Sequence, residues 1–115
     1  MYYFSKKLDM VEKIDILKEL KSHLLLNIGP EIDSVILFGS RSDNTSNMHS
    51  DYDVLIILNK KADWKLKRKI SDYCFEIELK HEILIDSHII SKSELKTLRG
   101  KQPIFQNALK RGIHV

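Results

Sequence analysis

The stretch that decides the fold reads SVILFGS at residues 34–40 and, ten positions further on, DYDVLIIL at residues 51–58. Ser34 to Phe38 is short, apolar and rich in β-branched residues, the pattern of a strand buried on both faces. Val54 to Leu58 repeats that pattern, so a second buried strand is predicted over Asp51 to Leu58. Between them, Gly39 to Ser50 (GSRSDNTSNMHS) is almost wholly small and polar. Such a composition makes a loop.

Upstream of this pair, Val11, Ile14, Leu17, Leu20, Leu24 and Ile28 recur at steps of three and four residues. That period predicts an amphipathic helix from about Asp9 to Asn27, ended by Gly29-Pro30. Downstream, Asn59 to Asp63 is a polar break. Leu66, Ile70, Tyr73, Cys74 and Ile77 then predict a second helix from Trp64 to about Leu79. Glu82 to Ile90 (EILIDSHII) reads as a third strand interrupted by polar residues. Ser91 or Ser93 is placed to cap a short helix towards Arg99, with Glu94 in its first turn. Gly100 to Pro103 reads as a turn, and Ile104 to Lys110 as a last helix stopped by Gly112. The order of elements implies a small α/β layer fold with helices covering a short sheet. Without a repeat or a linker, one domain over residues 1–115 is expected.

The composition narrows the function classes. The chain has 115 residues, 43% hydrophobic and 30% charged, with a net charge of +3. This suits a globular protein and not a disordered one. The longest apolar runs fall far short of the roughly twenty residues of a membrane span. MYYFSKKLDM at the start lacks the apolar core of a secretory signal. Cys74 is a single cysteine and forms no internal disulfide. The expectation is a cytoplasmic protein. Two basic stretches, Lys60, Lys61, Lys65, Lys67, Arg68, Lys69 and Lys92, Lys96, Arg99, Lys101, Lys110, Arg111, read either as solvated faces or as surfaces for phosphate-bearing partners. Each holds a single aromatic, Trp64 and Phe105, too few to stack on successive bases, so nucleic acid is not the expected partner.

The chemistry lies at the ends of the two central strands. Side chains two apart on a strand share a face, so Asp51 and Asp53 project side by side. Adjacent like charges are costly, and a divalent cation removes the cost; oxygen ligands with open positions suit Mg²⁺ shared with substrate phosphates. Gly39 and Ser40 close the first strand, where free backbone N–H groups and a hydroxyl can cradle phosphate oxygens. Arg41 is placed either to reach a phosphate or to pair with Asp43. A third carboxylate from another strand is expected to share the metal or take the acceptor's proton. Asp86 is the candidate, because an unpaired carboxylate in an apolar strand is expensive. Glu82 and His88 share its face by the period of two, which makes Glu82 the reserve. Gly-Ser followed by Asp-x-Asp at one fixed spacing arises by chance on the order of once in a thousand chains of this length.

The pattern Gly39-Ser40, ten residues, Asp51-x-Asp53, flanked by VILF and VLIIL, resembles the minimal nucleotidyltransferases of the DNA polymerase β-like superfamily. LIDSHIIS is similar to the strand of their third carboxylate, and PIFQNALKRGIHV to the closing helix of small members. The resemblance implies a small mixed sheet flanked by helices, the polymerase β-like palm fold. It also implies two Mg²⁺ ions and transfer of a nucleoside monophosphate from an NTP. By position, Gly39 and Ser40 would hold the triphosphate, Asp51 and Asp53 the metals, and Asp86 would complete the site. The substrate suggested is ATP, and the small size resembles the antitoxin half of toxin–antitoxin pairs. The acceptor would then be a tyrosine hydroxyl on a helical HEPN-type toxin. Asn44 stands where many relatives have glycine, and Asp43 where a basic residue is common. That departure supports an alternative, an NTP-binding module of weak or no activity that acts by occupying its partner.

The remaining candidates carry less. His49 reads as a solvated loop residue, and Cys74 as core. Trp64 reads as structural and not as a stacking platform. His81, Glu82, Asp86 and His88 do not form a zinc site, because His81 faces away from the others. The homo-oligomeric state stays open.

Overall fold

The structure, a computed structural model, describes residues 2–38 and 52–115. Its elements are helix α1 (Tyr2–Asn27), strands β1 (Ile32–Phe38) and β2 (Tyr52–Leu58), helix α2 (Trp64–His81), strand β3 (Ile85–Ser91), and helices α3 (Lys92–Leu95) and α4 (Pro103–Arg111). A 3₁₀ turn at Arg99–Lys101 precedes α4, and a two-residue strand β4 (Ile113–His114) follows it. The sheet has the order β3-β2-β1-β4. β1 runs antiparallel to β2 and β4, whereas β2 and β3 are parallel. Parallel neighbours need a crossover, which α2 provides.

The apolar strands are buried on both faces, as their composition requires. Val54, Ile56 and Leu58 pack with Val35 and Leu37 against Leu17, Leu20 and Leu24 of α1 and Ile70, Cys74 and Ile77 of α2. Ile36, Leu55, Ile57 and Ile90 form the second core, beneath Phe105 and Ala108 of α4. One face of the sheet thus carries two long helices and the other mainly the short α4. Burial pushes the Cys74 thiol up to about 12, which makes it a core group and not a nucleophile.

Local chemistry sets the ends of the elements. Asp63 Oδ1 accepts from the Leu66 amide at 2.8 Å and starts α2. Ser91 and Glu94 form a reciprocal capping box on α3. Pro103 opens α4, and the Gly112 amide donates to the Ala108 carbonyl at 2.9 Å to close it. A side chain at Gly112 would overlap Ile36 and the Ala108 carbonyl, so glycine lets the end of α4 touch β1.

Four sequence expectations change. Helix α1 begins at Tyr2, seven residues before the start of its apolar stripe at about Asp9. The third strand begins at Ile85 and not at Glu82: α2 continues to His81, and Glu82 caps it in the left-handed conformation at φ 56°. β4 is additional, because two residues are too few to show a period. Trp64 is 71% exposed and contributes little to the core. The loop Gly39 to Ser50 lies outside the described residues. Among the described residues no helix is long and apolar enough to cross a membrane.

Candidate active site

The strand register brings the described carboxylates together. Phe38, the last residue of β1, pairs with Asp53 on β2, and Asp53 pairs with Asp86 on β3. Residues in register on adjacent strands share a face, and neighbouring strands lie roughly 5 Å apart. Asp53 and Asp86 therefore stand side by side on the sheet face that α4 covers further along. Asp53 is half-buried, whereas the Asp86 side chain is 56% exposed. β1 ends, and β2 and β3 begin, at this same edge. Phe38 delivers the chain to Gly39 there, and Tyr52 leads out of Asp51.

Two hydrogen bonds fix that edge. The Tyr52 amide donates to the Leu84 carbonyl at 2.8 Å. The Ile85 amide donates to Oε2 of Glu78, on the last turns of α2, at 2.6 Å. The residue before Asp86 is thus held by a carboxylate of the crossover helix, a role for Glu78 that no spacing in the sequence reveals. His88, two residues beyond Asp86, places Nε2 3.5 Å from Asp86 Oδ2. Its ring centroid lies 5.9 Å from that of Phe38. Because β2 runs between β1 and β3, His88 and Phe38 flank the strand of Asp53 on the same face.

Asp53, Asp86 and His88 are brought together as the strand period predicts. Glu82 is not: it caps α2 before β3 begins, and so does not share the face of Asp86. Gly39, Ser40, Arg41, Asp51 and His49 lie outside the described residues. The described residues alone contain no group of three or more His, Cys, Asp or Glu able to hold a metal ion. Asp53 and Asp86 supply two carboxylates of the expected set. His81 instead bonds Glu19 of α1 at 2.9 Å. The Lys80 ammonium, and after it the His81 ring, hydrogen-bond the Glu19 carboxyl and hold it below its usual value, tying α2 to α1.

The basic stretches lie elsewhere. Lys60, Lys61, Lys65 and Lys69 line an open hollow of about 360 Å³ with Glu31, Asp63 and Leu66. It sits beyond Leu58, at the opposite end of β2 from Asp53. In the second stretch, Lys92 pairs with Asp33 at 3.0 Å. Arg99 binds Glu94 and the Ile89 carbonyl. Both cations are thus paired within the fold.

Residues 23–115 match the family described as Polymerase beta, Nucleotidyltransferase. The chain belongs to this nucleotidyltransferase family. A Methanocaldococcus jannaschii protein, provisionally named protein adenylyltransferase MJ0141, is 39% identical over 87 residues, covering 76% of this chain and 87% of the relative. A crystal structure of a mutant toxin–antitoxin complex, MntA–HpeT, contains a chain with the same fold. The TM-score is 0.54 at 17% identity, over 84% of this chain and 69% of that one. The mixed sheet with flanking helices is thus the polymerase β-like fold, and the chain is a nucleotidyltransferase.

Proposed function

We propose that this nucleotidyltransferase transfers AMP from ATP to a hydroxyl of a protein acceptor, and that the acceptor is a tyrosine of a helical HEPN-type toxin partner. The observation that carries the proposal is the in-register pairing of Asp53 with Asp86 at the edge where β1 ends. The provisional name of the archaeal relative supports adenylyl transfer to protein. The toxin–antitoxin assignment of the structural neighbour supports the partner class.

The residues present fit a divalent cation. Two hard oxygen donors on adjacent strands share one face, and one of them is largely open to solvent. Asp53 and Asp86, with Asp51 beside them in the chain, would hold Mg²⁺. When bound, Mg²⁺ neutralises the triphosphate and the departing pyrophosphate. Gly39 and Ser40, directly after Phe38, would hold the triphosphate through backbone N–H groups and the Ser40 hydroxyl, and Arg41 would add a cation. In the reaction the acceptor oxygen bonds to the α-phosphorus of ATP and the bond to the β-phosphate bridging oxygen breaks. The acceptor's proton passes towards Asp86, whose exposure allows it to meet an incoming hydroxyl. Glu78 positions Asp86 through Ile85, and Phe38 and His88 shape the apolar flank.

The test is intact-mass analysis after incubation with ATP, Mg²⁺ and a helical toxin partner. A gain of AMP on the partner that is lost in Asp53→Asn supports the proposal. ATP-dependent stabilisation without any adduct would favour a binding module instead.

A further inference from the structure

We infer that Arg111, at the end of α4, is a phosphate-binding residue that holds the β- and γ-phosphates of the NTP and the pyrophosphate they become. It would act in the transfer reaction proposed above, and the assignment rests on that reading. The fold brings the end of α4 to the carboxylate edge. α4 crosses the sheet face of Asp53 and Asp86, with Phe105 and Ala108 packed on Ile36, Leu55, Ile57 and Ile90. Its approach lies at the far end of β3, where Arg99 donates to the Ile89 carbonyl at 2.9 Å. Its other end is Gly112, where a Cβ would meet the Ile36 side chain and the Leu37 carbonyl. Ile113 then pairs with Leu37, the residue before Phe38, and Phe38 pairs with Asp53. Arg111 is thus set about one strand residue below the level of Asp53.

The helix period selects this cation over its neighbour. At about 100° per residue, Arg111 stands about 60° around the axis from the buried Ala108, and Lys110 about 160°. Lys110 therefore points away from the sheet, while Arg111 lies along the flank of the buried face. A strand–helix–strand crossover is right-handed in nearly every protein. Applied to β2, α2 and β3, that hand puts Leu109 on the flank of α4 towards β4 and Arg111 on the flank towards β2, the strand of Asp53. Arg111 is exposed and, among the described residues, makes no ion pair, unlike Lys92 and Arg99. The sheet order β3-β2-β1-β4 sets out the parts of the site along one edge: Asp86, then Asp53, then the exit of β1, then the end of α4. The acceptor is met at the Asp86 side, so the departing phosphates lie at the β1 side, within reach of Arg111. A guanidinium is suited to this place, because it binds two phosphate oxygens at once and keeps its charge. Lys110 and Arg111 also offset the negative end of the α4 dipole, a structural role that would show in the stability of the ligand-free protein.

The test needs no acceptor. Wild type, Arg111→Ala, Arg111→Lys and Lys110→Ala would be titrated calorimetrically with ATP and with inorganic pyrophosphate, each with Mg²⁺. Thermal unfolding without ligand compares their folds. Arg111→Ala should weaken both ligands by about tenfold or more, the loss of one charge-assisted contact. Arg111→Lys should recover part of that loss, because it restores the charge without the fork. Lys110→Ala should stay within about twofold of wild type, although it removes the same charge from the same helix end. Arg111→Ala that binds ATP and pyrophosphate as wild type does would overturn the inference and leave the proposed function standing. Equal losses in Arg111→Ala and Lys110→Ala would also overturn it, as the effect would then come from the helix end and not from a contact. A wild type that binds neither ligand would overturn the proposed function and this assignment together.

Discussion

Glu78 gives the sharpest prediction about how the fold holds its site. Its carboxylate accepts the Ile85 amide at 2.6 Å, at the point where β3 starts and one residue before Asp86. Glu78→Ala removes the acceptor and leaves a partly buried N–H without its partner. A hydrogen bond to a charged group contributes about 1.5–3 kcal/mol, and an orphaned buried donor costs a similar amount. The expected loss is about 2 kcal/mol. For a chain of 115 residues the melting temperature moves by roughly 4 °C per kcal/mol, so it should fall by about 8 °C. Glu78→Gln keeps a neutral acceptor and should lose about half as much. Transfer activity should fall with the same ordering, because Asp86 follows Ile85. Thermal unfolding and transfer rate, measured on both variants, check this. Glu78→Ala with stability within about 0.5 kcal/mol of wild type, or Gln no better than Ala, would refute the reasoning.

Other perturbations test separate parts. Glu82 caps α2 at φ 56°, a conformation that costs a side-chain-bearing residue about 1–2 kcal/mol; Glu82→Gly should therefore stabilise by roughly 0.5–1 kcal/mol, after glycine's greater unfolded-state entropy, and leave transfer unchanged. Denaturant titration with a transfer assay measures both. Gly112→Ala should destabilise by about 1–3 kcal/mol in the same titration, since the methyl group would overlap Ile36 and the Ala108 carbonyl. Partial burial pushes the Glu94 carboxyl up, but the Ser91 amide and hydroxyl and the Arg99 guanidinium outweigh this and hold it below its ordinary 4.5. A depressed carboxyl stabilises the fold above its unfolded value and loses that contribution as pH falls through the folded one. Stability measured downward from pH 5 should accordingly fall less steeply for Glu94→Gln than for wild type.

Sequence reasoning succeeds here where both faces of an element bear on the choice. DYDVLIIL announces a central strand because its apolar residues have no exposed side, and the period of two then puts Asp53 on the face of Leu55. The same period puts Asp86 and His88 together. It fails for Glu82, since EILIDSHII alternates well enough to read as one long strand. The last turn of α2 decides otherwise: the Glu78 carbonyl accepts the Ile83 amide and the Glu78 side chain accepts that of Ile85. That tertiary competition leaves no mark in the hydrophobic pattern. β4 is illegible for a related reason, as Ile113 and His114 become a strand only by pairing with Leu37 and Ile36. Trp64 reads as structural from its place at the head of a helix, but Asp63 starts that helix and the indole is left largely exposed, which the pattern of the sequence does not show.

The central claim is that carboxylates on adjacent strands carry the transfer. The most direct measurement is the rate of AMP incorporation into the acceptor by wild type, Asp53→Asn and Asp86→Asn, with folding of each confirmed by circular dichroism. Removal of either negative charge from the shared site should abolish incorporation, and thermal stabilisation by ATP with Mg²⁺ should fall with it. Wild-type incorporation by folded Asp86→Asn would contradict the account.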